Sequence, residues 1–432
     1  MAAVAVYQEA QRSAPWRRNA AAVPGGSVPR ENQKKKEEAM SEPTFRVVDF
    51  STHMSGPMAA HLLRAAGADV IRVEHPSYGD GNRGAAPFIA GVGNAHAGLS
   101  GGVRSVTAST RSEQWPTLIR AAAQWADAVI VAGRQTDLTR RGLDFATVKK
   151  SNPRVVYCHI TGYGLAGPWA GKPAHGQNVD AVAGRVIPLR EDGHLVTPTG
   201  MRTAGTVLAG VFGAMGTLAA LVRRGADGPG EYVHSSLWHS AMWWSWRDAN
   251  MLANEDRGWH EYRDMGSRYA IYETADGRAI LLCPVEKKFW HAFCDVAGVP
   301  TRYRDRGDWS EGMEWGFDDE VEVIADRMRT RDLDQWSGLL TACDVPFSPI
   351  LTLQEAMNSD HARAVDLMVA SDVDGKPVTI MSPPWQHAGS PDVVAAEEVP
   401  GPPKLGEHSV DVLEEWGLSE FAPSAFTEQG GN

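Results

Sequence analysis

The sequence predicts an α/β protein built on a parallel sheet, because strand-like and helix-like patterns alternate through its first part. Apolar runs of strand length occur at 45–50, 69–74, 128–131 and 154–160. Helical patterns stand between them at 55–68, 112–124 and 144–150. Such alternation is typical of βαβ units, in which helices cover both faces of a parallel sheet.

Two helices of this region have informative sequences. Ser55 stands where a capping residue would begin the first helix, and Gly67 stands where that helix would end. The alanine- and glycine-rich stretch 204–224 is apolar almost all round. This composition predicts a long buried helix that packs closely against its neighbours.

A different pattern follows in the second half of the chain. Residues 269–286 alternate around an Ala-Asp-Gly turn, as expected for a hairpin. Helical patterns then occur at 287–297, 318–329 and 331–341. We interpret this region as a smaller α+β domain, and the Pro-rich remainder as strand fragments with a last helix at 409–416.

The charge distribution limits the classes of partner. The 432 residues carry a net charge of −11, with 43% hydrophobic and 22% charged residues, which suffices for an ordinary core. Residues 1–40 are basic and are expected to be disordered. The remainder is acidic, which argues against general nucleic-acid binding. No window has the about 18 uninterrupted apolar residues of a membrane span, so we expect a cytoplasmic protein without a membrane partner.

Several common kinds of site are absent from the sequence. The four cysteines lie far apart without a C-x-x-C pair, which indicates neither a disulfide framework nor a metal site. No G-x-S-x-G elbow and no phosphate-binding G-x-x-x-x-G-K-[ST] occurs. "GYGLAG" at 162–167 formally matches G-x-G-x-x-G, but Pro168 and Pro173 follow it, so we expect a turn and not a dinucleotide site.

Five stretches of the chain carry a family resemblance. They are "VVDFSTHMSGPMAAHLLRAAGADVIRVEHPSYGD", "NPRVVYCHITGYGLAGPWAGKPAHGQNVDAVAG", "GAMGTLAALVRRGADGPGEYVHSSL", "YETADGRAILL" and "PPKLGEHSVDVLEEWGLS". In this order they resemble the class III CoA-transferases (CaiB/BaiF), which include carnitine and formyl-CoA transferases and α-methylacyl-CoA racemases. The resemblance runs from about residue 45 to 418.

The resemblance implies an architecture. A Rossmann-like large domain would be built from 41–235 together with 347–432, and linker helices with a small α+β domain would occupy 236–346. Two subunits would interlock as a homodimer. Coenzyme A would be part of the acyl-CoA substrate and not a permanently bound cofactor.

The resemblance also places the CoA contacts. By position they fall at Met54, Ser55, His75, Val103, Arg104, Arg134 and Arg140. Arginine suits phosphate oxygens, because a guanidinium offers paired donors and stays charged. The chain departs from the family where His75 replaces an arginine, Val103 replaces a lysine and "VAGRQT" replaces "ENFRPG".

The largest departure lies at the catalytic position. In the transferases an aspartate, ten residues before the glycine that is Gly216 here, attacks the thioester. This chain has Thr206 at that position, and the racemase aspartate would fall at Gly205. No Asp or Glu occurs from 193 to 226. A threonine hydroxyl with no evident base is a poor nucleophile.

The racemases have a Gly-His-Asp turn, of which this chain keeps His175 but has Gly176 in place of the acid. An imidazole can remove a proton from a carbon beside a thioester, so His175 is either a working base or a loop residue. Glu286 stands where racemases carry a functional glutamate. Asp180, four residues past Gly176, could reach back toward His175 by one helical turn.

Three functions stay open from the sequence. The leading hypothesis is proton transfer on a CoA thioester, of racemase, isomerase or lyase type, with His175 as base and Glu286 assisting. The first alternative is CoA transfer with a relocated nucleophile, Asp180 or Glu286. The second is a non-catalytic CoA-thioester binder or partner subunit. Arg268, Tyr269 and His239 are second-rank site candidates.

Overall fold

A six-stranded parallel sheet is the main element of the computed structural model, which describes residues 44–197, 202–255, 265–385 and 399–427. Its strands are β1 (Phe45–Asp49), β2 (Ala68–Glu74), β5 (Arg104–Thr107), β6 (Ala128–Ala132), β7 (Val156–Thr161) and β10 (Tyr232–Ser236). Across the sheet they follow the order β10-β7-β6-β1-β2-β5. All five pairings are parallel, so the predicted α/β class with a parallel sheet is confirmed.

Both faces of this sheet are buried, because successive strand residues point to opposite sides. Val48, Ile71 and Val129 contribute to the core on one face. Val47 and Val70 contribute to the core on the other face. Apolar runs without alternation, the feature that predicted these strands, are thus explained by helices on both sides.

The helices of this region follow the predicted pattern closely. They are α1 (Ser55–Ala65), α2 (Asn94–Leu99), α3 (Trp115–Trp125), α4 (Gln135–Arg140), α5 (Phe145–Ser151), α6 (Gly176–Val182) and α7 (Ala204–Arg224). Ser55 is the first helical residue and not the cap, since Met54 occupies the capping position. "GYGLAG" forms turns with positive φ at Gly164 and Gly167, and the first helix after it is α6, as a turn requires.

Helix α7 begins and ends where the sequence predicted, but its burial is one-sided. It contacts α1, β7 and β10 through small residues, and a Cβ added at Gly210 would lie 2.6 Å from the Ser55 carbonyl oxygen. Met215 and Val222 are 59% and 81% exposed. By length and composition α7 could also cross a membrane, although its inner face packs against the sheet. Within one chain the outer face of α7 is therefore exposed.

A second, antiparallel sheet has the order β11-β12-β13. Its strands are β11 (Ala270–Glu273), β12 (Ala279–Leu282) and β13 (Phe347–Pro349). It packs with α10 (Lys287–Ala297), α12 (Asp318–Met328) and α13 (Leu333–Ala342) around a separate apolar core. Because β13 pairs with β12, this sheet continues past the boundary predicted at residue 346. The division into a large and a small domain stays a prediction.

The second-rank candidates have structural roles here. Arg268 is completely buried, pairs with Glu320 at 2.7 Å and stacks on Trp290, with its guanidinium carbon 4.0 Å from the ring centroid. The Tyr269 ring contacts Trp315, and the His239 N–H donates to Ser236 at the start of α8 (Leu237–Trp244). The ion pair and the ring contact account for the buried position of Arg268.

The remaining elements complete the described chain. Short strands pair as β3 (Phe88–Ile89) with β4 (Val92–Gly93), β8 (Leu189–Glu191) with β9 (His194–Val196), and β14 (Met368–Val373) with β15 (Lys376–Met381). The other helices are α9 (Trp246–Glu255), α11 (Thr301–Arg304), α14 (Leu353–Met357), α15 (Asp360–Ala364), α16 (Ser409–Glu415) and α17 (Ser424–Thr427). Val412 and Leu413 of α16 join the core that contains Val48. The predicted disordered segment 1–40 lies outside the described residues.

Candidate active site

A cavity of about 600 Å³ lies at the carboxyl edge of the parallel sheet, where β1, β6 and β7 end. This volume is within the range of about 300–1,000 Å³ that small-molecule sites occupy. Its lining comprises residues 52–55, Asn82, 132–134, Asp137, 160–162, 172–176, Thr203, Thr206 and Leu237. The carboxyl edge of a parallel sheet is where open α/β folds bind their ligands.

The cavity, which we call the strand-end cavity, brings together five of the predicted site residues. Met54, Ser55, Arg134, His175 and Thr206 all line it. His75, Val103, Arg104, Arg140, Asp180 and Glu286 do not belong to its lining.

His175 is placed by the start of α6. Its backbone N–H donates to the Asn178 side-chain oxygen at 2.7 Å, and the Asn178 amide donates to the Tyr163 hydroxyl at 3.2 Å. The side chain is exposed to the cavity, and no carboxylate of the described residues forms an ion pair with the ring. The histidine is therefore held through its backbone, which leaves the imidazole open to a ligand.

Asp180 does not turn back toward His175, contrary to the prediction. It is completely buried, and its two carboxylate oxygens accept the backbone N–H groups of Ala204 and Gly205, at 3.0 and 2.9 Å. These amides belong to the first turn of α7 and have no partner within the helix. Asp180 thus caps α7 from a distant part of the chain, and its oxygens are occupied.

Gly176 and Thr206, the two positions that lack the family acids, are in direct contact. A Cβ added at Gly176 would overlap the Thr206 Oγ1 and would lie 2.8 Å from Thr203 Cγ2. Thr206 is 7% exposed, and its hydroxyl has no hydrogen-bond partner among the described residues. The cavity floor beneath His175 is therefore uncharged and tightly packed.

The arginines predicted to hold CoA phosphates are paired with carboxylates. Arg134 and Arg140 both bind Asp137 at 2.8 Å. The hydrogen bond from Arg134 lowers the pKa of Asp137, so this carboxylate stays ionised. Arg104 pairs with Asp69 and Glu415. Of the three, only Arg134 lines the strand-end cavity.

Two further predicted site residues, His75 and Glu286, lie away from the cavity. His75 stacks on Tyr78 with ring centroids 3.9 Å apart, and desolvation together with the charge of Arg111 lowers the pKa of His75. Glu286 occupies the capping position of α10 without a side-chain capping bond, and its backbone forms an isolated bridge with Met313. Within the described residues, neither of them joins His175.

Most of the chain matches the sequence pattern of one protein family. The sequence pattern of "CoA-transferase family III" matches residues 44–409, which is most of the chain. The chain belongs to CoA-transferase family III. This membership confirms the resemblance stated from the five sequence stretches.

Family III relatives with named activities cover most of the chain. It is 27% identical to the succinyl-CoA–L-malate CoA-transferase beta subunit of Chloroflexus aurantiacus, over 86% of this chain and 93% of that protein. It is 25% identical to the alpha-methylacyl-CoA racemase of Mus musculus, over 87% and 93%. The relatives therefore include both transferases and racemases, and they do not decide the chemistry of this chain.

Two solved structures share the fold of this chain. The protein Rv3272 from Mycobacterium tuberculosis superposes with a TM-score of 0.71 at 24% identity, covering 85% of this chain and 97% of that one. A CaiB/BaiF family protein from Brucella suis gives a TM-score of 0.69 at 21% identity, covering 86% and 98%. At this level of identity the likeness shows the fold alone.

Several polar residues of the strand-end cavity were not predicted from the sequence, among them His53, Asn82, Asp137 and Lys172. His53 has a positive φ of 67°, which is uncommon for a residue other than glycine. A signal was present for His53, because it follows a predicted parallel strand on the edge where ligands bind. Asn82 and Lys172 lie in loops, whose folding back onto the cavity no local pattern indicates.

Proposed function

We propose that this family III chain acts on a CoA thioester by moving a proton at the carbon next to the thioester carbonyl, with His175 as the base. One observation carries the proposal: His175 opens into the strand-end cavity, while the only acidic residue of its described lining is Asp137, which two arginines already bind. An imidazole is thus available, and a free carboxylate is not.

The absence of a free carboxylate from the described lining matters because covalent CoA transfer in this family needs an attacking carboxylate. Asp180 is buried and accepts two amide hydrogens, so it is poorly placed to attack a thioester. The Thr206 hydroxyl lies against Gly176 and has no base beside it within the described part of the chain. The geometry therefore supports proton transfer more than it supports an acylated side chain.

The proposed step uses groups that the cavity provides. The neutral His175 ring takes the proton from the α-carbon, and the electron pair of the broken C–H bond moves into an enolate of the thioester. Lys172 and Arg134 line the same cavity with positive charge, which favours the enolate oxygen and the CoA phosphates. Lys172 also lies over Trp169, with its ammonium 5.5 Å from the ring centroid.

The test is incorporation of solvent deuterium. The protein is incubated in deuterium oxide with straight-chain and α-methyl-branched acyl-CoA thioesters, and the α-carbon is followed by NMR and mass spectrometry. We expect exchange without any acceptor acid, and a loss of about 10²–10⁴-fold in H175Q, the range general-base catalysis contributes. H361N serves as the matched control, because His361 is an exposed helical residue far in sequence from the cavity. Absence of exchange from the whole panel would overturn the proposal.

CoA transfer is the second candidate, because the Chloroflexus aurantiacus relative named above is a CoA-transferase. It predicts an adduct that hydroxylamine traps at a carboxylate when an acyl-CoA is supplied, and its loss in E286Q or D180N. A protein that binds CoA but shows neither adduct nor exchange would be a non-catalytic binder. The same mass-spectrometric samples therefore separate all three functions.

A homodimer is part of the proposal. The family resemblance implies it, and several large apolar side chains on the outer side of α7–α9 are exposed: Met215, Val222, Trp243, Trp244 and Trp246. Aromatic and methionine side chains are enriched in interfaces between subunits. A second copy could also bring Glu286 to a cavity whose lining it does not join within one chain. Light scattering after gel filtration tests the dimer, and a monomer at micromolar concentration would contradict it.

A further inference from the structure

His53 and His175 line the strand-end cavity from two different parts of the chain. His53 follows β1 by four residues, whereas His175 stands at the start of α6, in the connection that follows β7. In the sheet β6 lies between β1 and β7, so the ends of these two strands are separated by about 10 Å. Gly133 and Arg134, after β6, line the cavity between them.

The backbone of His53 is held in a conformation that costs energy. Its φ of 67° lies in the left-handed region, which disfavours a residue with a Cβ by about 1–2 kcal/mol. The buried Asp80 carboxylate accepts the His53 N–H at 3.2 Å, and the Asn82 side chain donates to the His53 carbonyl oxygen. Asp80 also accepts the Asn82 N–H at 2.7 Å. Backbone strain that surrounding hydrogen bonds maintain is a feature of functional sites.

The imidazole of His53 is positioned but left available. It packs on Gly81, where an added Cβ would lie 2.7 Å from the ring carbon Cε1. The side chain is exposed, and the hydrogen bonds that His53 makes with described residues are through its backbone. Its ring nitrogens can therefore exchange protons with a ligand in the cavity.

No other titratable group of the described lining is equally suited. Lys172 belongs to the loop that carries His175, so it approaches from the same side of β6. The Arg134 guanidinium only donates hydrogen bonds, and it binds Asp137. Asp137 is held ionised by Arg134 and also binds Arg140. Among these groups, His53 alone offers an imidazole that follows a different strand from the one before His175.

We propose that His53 is the second acid–base catalyst of the proton transfer, which rests on the function proposed above. His175 removes the α-proton from one face, and the C–H electrons form the enolate. Protonated His53 then gives its ring proton to the opposite face of the α-carbon, where a new C–H bond forms from the enolate electron pair. Inversion follows, and solvent restores both imidazoles to their starting protonation states. For the mirror-image substrate the two histidines exchange roles.

The test measures the inversion and the α-hydrogen exchange of α-methyldecanoyl-CoA in deuterium oxide. Each configuration of the thioester is incubated separately with the wild type, H53N and H175N. Asparagine tolerates positive φ, so H53N keeps the backbone while it removes the imidazole. In H53N we expect inversion to fall by about 10²–10⁴-fold, while His175 still exchanges the α-hydrogen of one configuration with retention. H175N should show the reciprocal pattern with the other configuration. H361N serves as the control for an unrelated histidine, and thermal unfolding confirms that the variants are folded.

Other outcomes overturn the assignment in distinguishable ways. Inversion at the wild-type rate in H53N would show that His53 is not an acid–base group. Loss of exchange from both configurations in folded H53N would assign it to substrate positioning. Absence of exchange by the wild type from both configurations would remove the proposed function itself, and the role of His53 with it.

Discussion

Replacement of Asp180 by asparagine separates a structural carboxylate from a catalytic one. The Asp180 oxygens accept the N–H groups of Ala204 and Gly205, in a site from which water is excluded. A hydrogen bond to a charged group contributes about 1.5–3 kcal/mol. In D180N one oxygen remains, and the amide nitrogen faces a backbone N–H that it cannot accept. We expect the free energy of unfolding to fall by about 2–4 kcal/mol, which corresponds to one lost charged bond and one unpaired buried donor.

Chemical denaturation of D180N measures this loss, and D144N is the matched control. Asp144 caps α5 by accepting the Thr147 N–H at 3.2 Å, but it is partly exposed, so its replacement should cost about 1 kcal/mol. If D180N unfolds with the wild-type free energy and yet loses thioester chemistry, Asp180 is a reacting group and the capping argument is refuted.

The remaining predictions concern the cavity floor and acid stability. G176A should destabilise by about 1–3 kcal/mol because its methyl group overlaps Thr206, and T206G should relieve this cost in the double variant, as measured by a thermodynamic cycle. T206V should leave stability unchanged or raise it by about 1 kcal/mol, since it removes a buried hydroxyl without a described partner. Although burial would raise the pKa of Glu74, the bond from Arg83 lowers it from 4.5 to about 2. The ionised Glu74 therefore stabilises the folded chain above about pH 4.5, and this contribution is lost as the pH falls through about 2. In E74Q the free energy of unfolding, measured by denaturation at several pH values, should fall less steeply toward acid pH. Burial lowers the pKa of His159 from 6.5 to about 4. Between these two pH values the unfolded chain binds a proton at His159 and the folded chain does not, so the free energy of unfolding should fall as the pH drops from 6.5 toward 4. An unfolding free energy that stays constant over that interval would contradict this.

The fold was largely predictable because its signals are local. Apolar runs between helical patterns located β1, β2, β6 and β7, and the small-residue stretch located α7 to the residue. Helix α4 was missed, since Leu138 is the one apolar residue among its six and gives no apolar periodicity.

The candidate site was predictable only in part, and its residues were assigned through the family resemblance. Met54, Ser55, Arg134, His175 and Thr206 come to the strand-end cavity as that resemblance implied. The partners of Asp180 could not be foreseen, because they lie 24 and 25 residues away and are backbone amides, which carry no sequence signal. Arg104 was assigned to phosphate without knowledge of its two carboxylate partners, which tertiary folding brings to it.

The close contact between Gly176 and Thr206 has an evolutionary consequence. A side chain cannot be introduced at Gly176 while Thr206 and Thr203 fill the adjacent volume, so the threonines must be replaced or displaced before Gly176 can change. Close homologues should accordingly vary there as a pair, and a reversal toward covalent chemistry would require more than one mutational step.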